Sequence, residues 1–130
     1  MVSPRIPSWL LAALMTFEAG PALAHHGWAW TEDAESRLSG TVESISLGNP
    51  HAQIMVRNEQ GRWRVDLSPP SLTARSGFVE GVAAKGDAVS FTGHRSRDPK
   101  ELAFKAETVT VRGKTFDVYP DRPKTLKPAP

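Results

Sequence analysis

Five short runs of strand-like apolar alternation, one helix signal between the third and fourth, and a change of apolar face midway through the first and fifth predict the fold class. It is all-β with one short helix, a small five-stranded OB-like barrel. The element order is that of the OB-fold, and strands that change face suit a barrel in which one strand serves both halves. A flat meander or a small sandwich with a helical cross-link is the competing arrangement.

The first strand is read over Leu38–Leu47, with Val42 on one face and Ile45 and Leu47 on the other, a change that calls for a bulge or a curl. The second, Pro50–Arg57, alternates with Ala52, Ile54 and Val56 inward and His51, Gln53 and Met55 outward. Asn58-Glu59-Gln60-Gly61 supplies a hairpin turn, and the third strand, Arg62–Leu67, turns Trp63, Val65 and Leu67 inward. Ser68 as a cap, Pro69 at the first helical position and Gly77 as a stop mark the helix. Gly86-Asp87 opens a fourth strand carrying Val89 and Phe91, and His94–Pro99 reads as a charged loop. The fifth strand, Leu102–Val111, switches from Leu102, Phe104 and Ala106 to Val109 and Val111, and Gly113 turns into a short Thr115–Val118 segment. The tail, 119–130, is rich in proline and lysine and is expected to be disordered.

The 130 residues suffice for one domain. Lysine and arginine number 16 against 14 aspartates and glutamates; the basic residues are scattered, so no nucleic-acid footprint is expected. Cysteine is absent, which excludes disulfides, thiolate metal sites, iron–sulfur clusters and cysteine nucleophiles.

Residues 1–24 read as an export signal: Arg5 near the start, an apolar stretch Trp9–Phe17, then Gly20, Pro21 and Ala22-Leu23-Ala24. An apolar run this short falls far below the roughly 20 residues that span a bilayer, so no stable membrane insertion is expected after cleavage. An uncleaved anchor or a plain helix is the alternative. Cleavage after Ala24 places the protein in the periplasm with His25-His26 at its mature start, ahead of a polar lead-in, 25–37, that carries Trp28 and Trp30. The barrel domain is then 38–118.

A free α-amine beside an N-terminal imidazole is a ready chelate near neutral pH. In the predicted barrel the loop containing Gly48-Asn49-Pro50-His51 lies near the one beginning Gly93-His94, so all four histidines fall at the mature start or in two neighbouring loops. The expected metal ligands are His25, through amine and ring, and His51, a histidine-brace arrangement, with His26 or His94 as a fourth ligand or a separate one. Nitrogen ligands suit copper(II) first and zinc second, and Met55 is a minor candidate for copper(I). Against this stand ordinary roles: a solvated surface histidine, and Asn-Pro as a plain turn.

The small-residue cleavage site running into His25-His26, Gly40-Thr41-Val42, Asn49-Pro50-His51, Trp63 and Gly86-Asp87 resembles an uncharacterised family of small exported bacterial proteins whose hallmark is Asn-Pro-His. The resemblance covers roughly residues 24–113. It implies export and domain limits and no reaction; His94 lies outside its pattern.

The function expected is a periplasmic metal carrier or buffer that hands its ion to or from another periplasmic or inner-membrane protein. A different class is a metal-free adaptor or ligand-binding module using the outward residues Gln53, Met55, Arg62 and Arg64. An enzyme is a third: a copper brace can activate oxygen, but no nucleophile–base pair or acidic pair has recognisable spacing. A haem carrier lacks an attachment signature.

Overall fold

The computed structural model describes residues 27–129; the segment expected to be an export signal and His25-His26 lie outside them. Among the described residues six strands and one helix follow in order: β1 Ser36–Ser46, β2 Gln53–Asn58, β3 Gly61–Asp66, α1 Pro70–Arg75, β4 Ala88–Arg95, β5 Ala103–Val111 and β6 Lys114–Asp117. The sheet order is β3-β2-β1-β4-β5-β6, and a parallel pairing of β3 with β5 closes the first five strands into a barrel. This is the five-stranded OB-like arrangement that the element order predicts.

Both predicted face switches are bulges. In β1, Val42 pairs with Val56 and Ser44 with Met55, so Glu43 is the extra residue. In β5, Ala106 pairs with Gly93 and Thr108 with Thr92, so Glu107 is the extra residue. A bulge bends its strand and re-aims a side chain, and here each aims a glutamate. Gly93 sits opposite the second bulge, where a Cβ would lie 2.1 Å from the Lys105 carbonyl oxygen. The β5–β6 hairpin turns on Arg112 (φ 52°) and Gly113 (φ 74°), two left-handed residues as a tight hairpin requires.

The core is the one the alternation predicts: Ala52, Ile54, Val56, Trp63, Val65, Leu67, Val89, Phe91, Phe104 and Val109 are all buried. Helix α1 is shorter than its signals suggest. Pro69 stands at its N-cap without a side-chain cap, and Ser68, expected to cap it, instead bonds Thr73 within the interior. Phe78, just beyond the helix, packs edge-on against Phe116 with ring centroids 5.5 Å apart.

Two expectations are corrected. The tail from Tyr119, read as disordered from its prolines and lysines, lies against the lead-in. Glu35 accepts from Thr125 and Leu126 backbone amides and the Thr125 hydroxyl, and Arg37 donates to the Lys127 carbonyl oxygen. A proline-rich segment needs no strand pairing when side chains elsewhere satisfy its backbone. His94 is not in a loop. It is the seventh residue of β4, 6% exposed, because that strand continues to Arg95 and the lead-in covers its outer face.

Candidate functional site

The lead-in runs beside the end of β4, with Glu32 N donating to Arg95 O (2.9 Å) and Arg97 N to Trp30 O (3.0 Å). Together with the tail it roofs the outer face of β5, which is why the strand is buried on both faces from Ala103 to Val109. Under this roof lie side chains that alternation assigns to solvent: Lys105, 2% exposed, and Glu107, fully buried.

Lys105 Nζ donates to the Gly27 carbonyl oxygen at 2.7 Å and lies 4.6 Å from the Trp28 ring centroid. Arg122 stacks on Trp28 at 3.6 Å, and Tyr119 and His94 meet it edge-on at 4.9 and 5.5 Å. Burial pushes the Lys105 ammonium below its usual range, Asp66 opposing and Arg122 adding to the effect. The lead-in is thus pinned at Gly27 and Trp28.

Beside this clamp is a buried polar cluster. His94 Nδ1 lies 2.9 Å from the Glu32 carbonyl oxygen, which can only accept, so Nδ1 carries a hydrogen. His94 Nε2 lies 2.6 Å from Glu107 Oε1, so one proton sits between imidazole and carboxyl. Donor atoms of Glu35, His94 and Glu107 all fall within 4.8 Å of one another. Burial pushes the Glu107 carboxyl up, the His94 hydrogen bond pulls against it, and the nearby Glu35 charge adds to the rise. Burial acts on Glu35 in the same sense, but the hydrogen bonds from Thr125 and Leu126, and one shared with Glu107, hold it below the ordinary carboxylate range. The two carboxyls are therefore driven apart, Glu35 toward the anion and Glu107 toward the acid. A cleft of about 420 Å³ lined by Asp33, Glu35, His94, Arg122 and Thr125 opens onto the cluster.

Of the predicted histidines, His51 and His94 lie among the described residues. Gly93 pairs with Ser36 at the start of β1, whereas the loop to His51 leaves from Ser46 at its end. Along β1 the two positions are a strand length apart, but the closed barrel joins them by a shorter way: His94 pairs with Lys105, Lys105 with Asp66, and Asp66 with Gln53, two residues after His51. Three strand spacings, roughly 15 Å around the barrel wall, lie between His94 and Gln53, so the two segments stand at one end of the barrel.

His51 is half-buried and follows a cis Asn49–Pro50 bond. The next residue, Ala52, donates to Ser68 O and accepts from Leu67 N. The Tyr119 hydroxyl reaches Leu67 O at 3.4 Å, and the Tyr119 ring lies 5.7 Å from Lys105 Nζ. A continuous chain of contacts therefore runs from Gly27 through Lys105, Tyr119 and Leu67 to the residue after His51.

Glu35 and Glu107 were not among the residues singled out from sequence. The face switch in β5 is the signal that locates Glu107, since the extra residue of a bulge is the one re-aimed; nothing local marks Glu35. The outward β2–β3 residues are paired among themselves. Gln53 and Arg64 both reach Asp66 (3.0 and 3.2 Å), and Arg57 and Arg62 share the bulge residue Glu43.

Compared with known families, residues 13–105 match the model of a family of unknown function (DUF6152). No curated protein matches the chain.

Proposed function

We propose that this chain, which belongs to that family of unknown function, is an exported metal-binding protein of the periplasm, a carrier or buffer for copper with zinc second. The ligands in this reading are the mature amine and ring of His25, the His51 ring, and His26 as a further donor. The observation that supports it is the clamp on Gly27 and Trp28. It holds the residue directly after the histidine pair against the barrel, and the contacts of Lys105 and Tyr119 lead from there to the strand that His51 enters. Pre-ordering of that kind lowers the entropy lost when a terminal ligand is fixed. His94 is left out of this reading, since its two ring nitrogens already meet the Glu32 carbonyl oxygen and Glu107. The adaptor reading has less support, because the arginines and glutamine of the β2–β3 face are already engaged within the fold.

The test is a copper(II) titration of protein processed during export, its His25 start verified by intact mass, with electron paramagnetic resonance of the bound ion. One tight equivalent with a nitrogen-rich axial spectrum is expected. His51→Ala and acetylation of the amine should each weaken binding by at least about tenfold. Unchanged affinity in both overturns the proposal.

A further inference from the structure

We propose a second divalent-cation site, built from Glu35, His94 and Glu107, whose ligand chemistry suits Zn²⁺ and which is independent of the N-terminal histidines. One imidazole and two carboxylates converge within 4.8 Å, and the cleft beside them can supply water as a fourth ligand, the open geometry of a three-ligand zinc centre. Sulfur donors are missing, which disfavours copper(I) here.

Two features point to a cation and not merely to a group of acids. The first is the His94 ring. Its Nδ1 is committed to the Glu32 carbonyl oxygen, so Nε2 faces the carboxylates with its orientation set by an outer hydrogen bond, as is usual for metal-bound imidazole. The second is the pair of facing oxygens. Glu107 is fully buried, and neither its Oε2 nor the buried Oε1 of Glu35 meets a donor from any other residue, so these two oxygens have only the bond that the carboxyls share. Two facing carboxyls taken out of water are costly and must hold a proton between them, and a cation is one of the few groups that satisfies both oxygens at once in the proton's place.

Arg122 partly serves that purpose, its Nε lying 3.6 Å from Glu107 Oε1, too far for a hydrogen bond. It is therefore a competitor of the ion. Binding also requires movement. Ligands on a tetrahedral zinc stand about 3.3 Å apart for bonds near 2.05 Å, so Glu35, the half-buried member, must swing inward and the 2.6 Å contact between His94 and Glu107 must open. The proton in that contact and the one between the carboxyls are what the metal displaces.

The experiment is Zn²⁺ titration by calorimetry of the full processed chain carrying His51→Ala, with Co²⁺ absorption as a report on coordination. One equivalent is expected to remain in His51→Ala. Adding Glu107→Gln or Glu35→Gln should weaken it at least about tenfold, with loss of the Co²⁺ bands. Arg122→Met should tighten it several-fold, an effect a purely structural cluster would not produce. If Glu107→Gln fails to fold, Glu35→Gln decides, because its altered carboxyl is half-buried and amide oxygen can still accept from Thr125 and Leu126. Unchanged Zn²⁺ affinity in the folded glutamine variants overturns the proposal, as does complete loss of Zn²⁺ binding in His51→Ala alone, which would assign the ion to the N-terminal site.

Discussion

Gly93 and Tyr119 show how single residues govern this barrel. Any β-carbon at 93 would collide with the Lys105 backbone opposite the Glu107 bulge, and backbone cannot move aside as a flexible side chain can. Gly93→Ala is expected to cost about 2–3 kcal/mol by urea denaturation; a cost below about 0.5 kcal/mol, the range of harmless surface changes, would mean that the bulge relaxes freely. Tyr119 sets an alkaline limit. Burial pushes its phenol up to about 12, Asp66 adding and Arg122 opposing. Between its ordinary value near 10 and that value, the folded state keeps a proton that the unfolded chain has released. The stability contributed by the neutral phenol is therefore complete below about pH 10 and lost as the pH rises toward 12. Lys105, held below its usual range, acts in the opposite sense. Tyr119→Phe should accordingly flatten the fall of the melting temperature above pH 10 relative to the parent, and an identical alkaline profile would contradict the burial argument.

At the scale of elements, the lead-in and the tail act together as a roof over β5. Neither forms a strand of the barrel; each is held by side chains of the other or of β5, through the stack of Arg122 on Trp28, the bond from Lys105 to Gly27 and the acceptance of Thr125 and Leu126 by Glu35. Trp28→Ala removes the common partner of Lys105, Arg122, Tyr119 and His94. It is expected to cost about 1–3 kcal/mol and to speed hydrogen exchange at the Glu32 and Arg97 amides at least about tenfold, while amides of the β1–β2 ladder stay protected. Equal acceleration throughout would show that the roof and the barrel open as one unit. The alternation of β5 was readable as far as its inner face. Lys105 and Glu107 on the other face read as solvated because the tail beyond β6 carries no apolar pattern, and Trp28 and Trp30, which offer the lead-in two rings to lay on the barrel, do not say which strand they cover.

For the whole molecule, closure by the β3–β5 pairing joins segments far apart in sequence, Arg64 with Ala103 and Asp66 with Lys105. Non-local closure of this kind slows folding to the millisecond–second range of small β barrels. The core shared by all five strands predicts one unfolding transition, coincident by near- and far-ultraviolet circular dichroism. Trp63→Ala, which empties the largest side chain of that core, should cost about 3–5 kcal/mol. Separate transitions by the two probes would mean that the roofed half melts alone. The sequence by itself determined the strands, their inward faces, both changes of face and the element order of the barrel, because period-two alternation and turn residues are local consequences of side-chain chemistry. It also determined which residue types are present to bind a metal. Only the tertiary structure decided where those residues stand. The closure of the barrel sets His94 three strand pairings from Gln53, near His51, and the docking of lead-in and tail buries His94 with Glu35 and Glu107. Both depend on pairings between distant segments, and no window of sequence contains the two partners of such a contact.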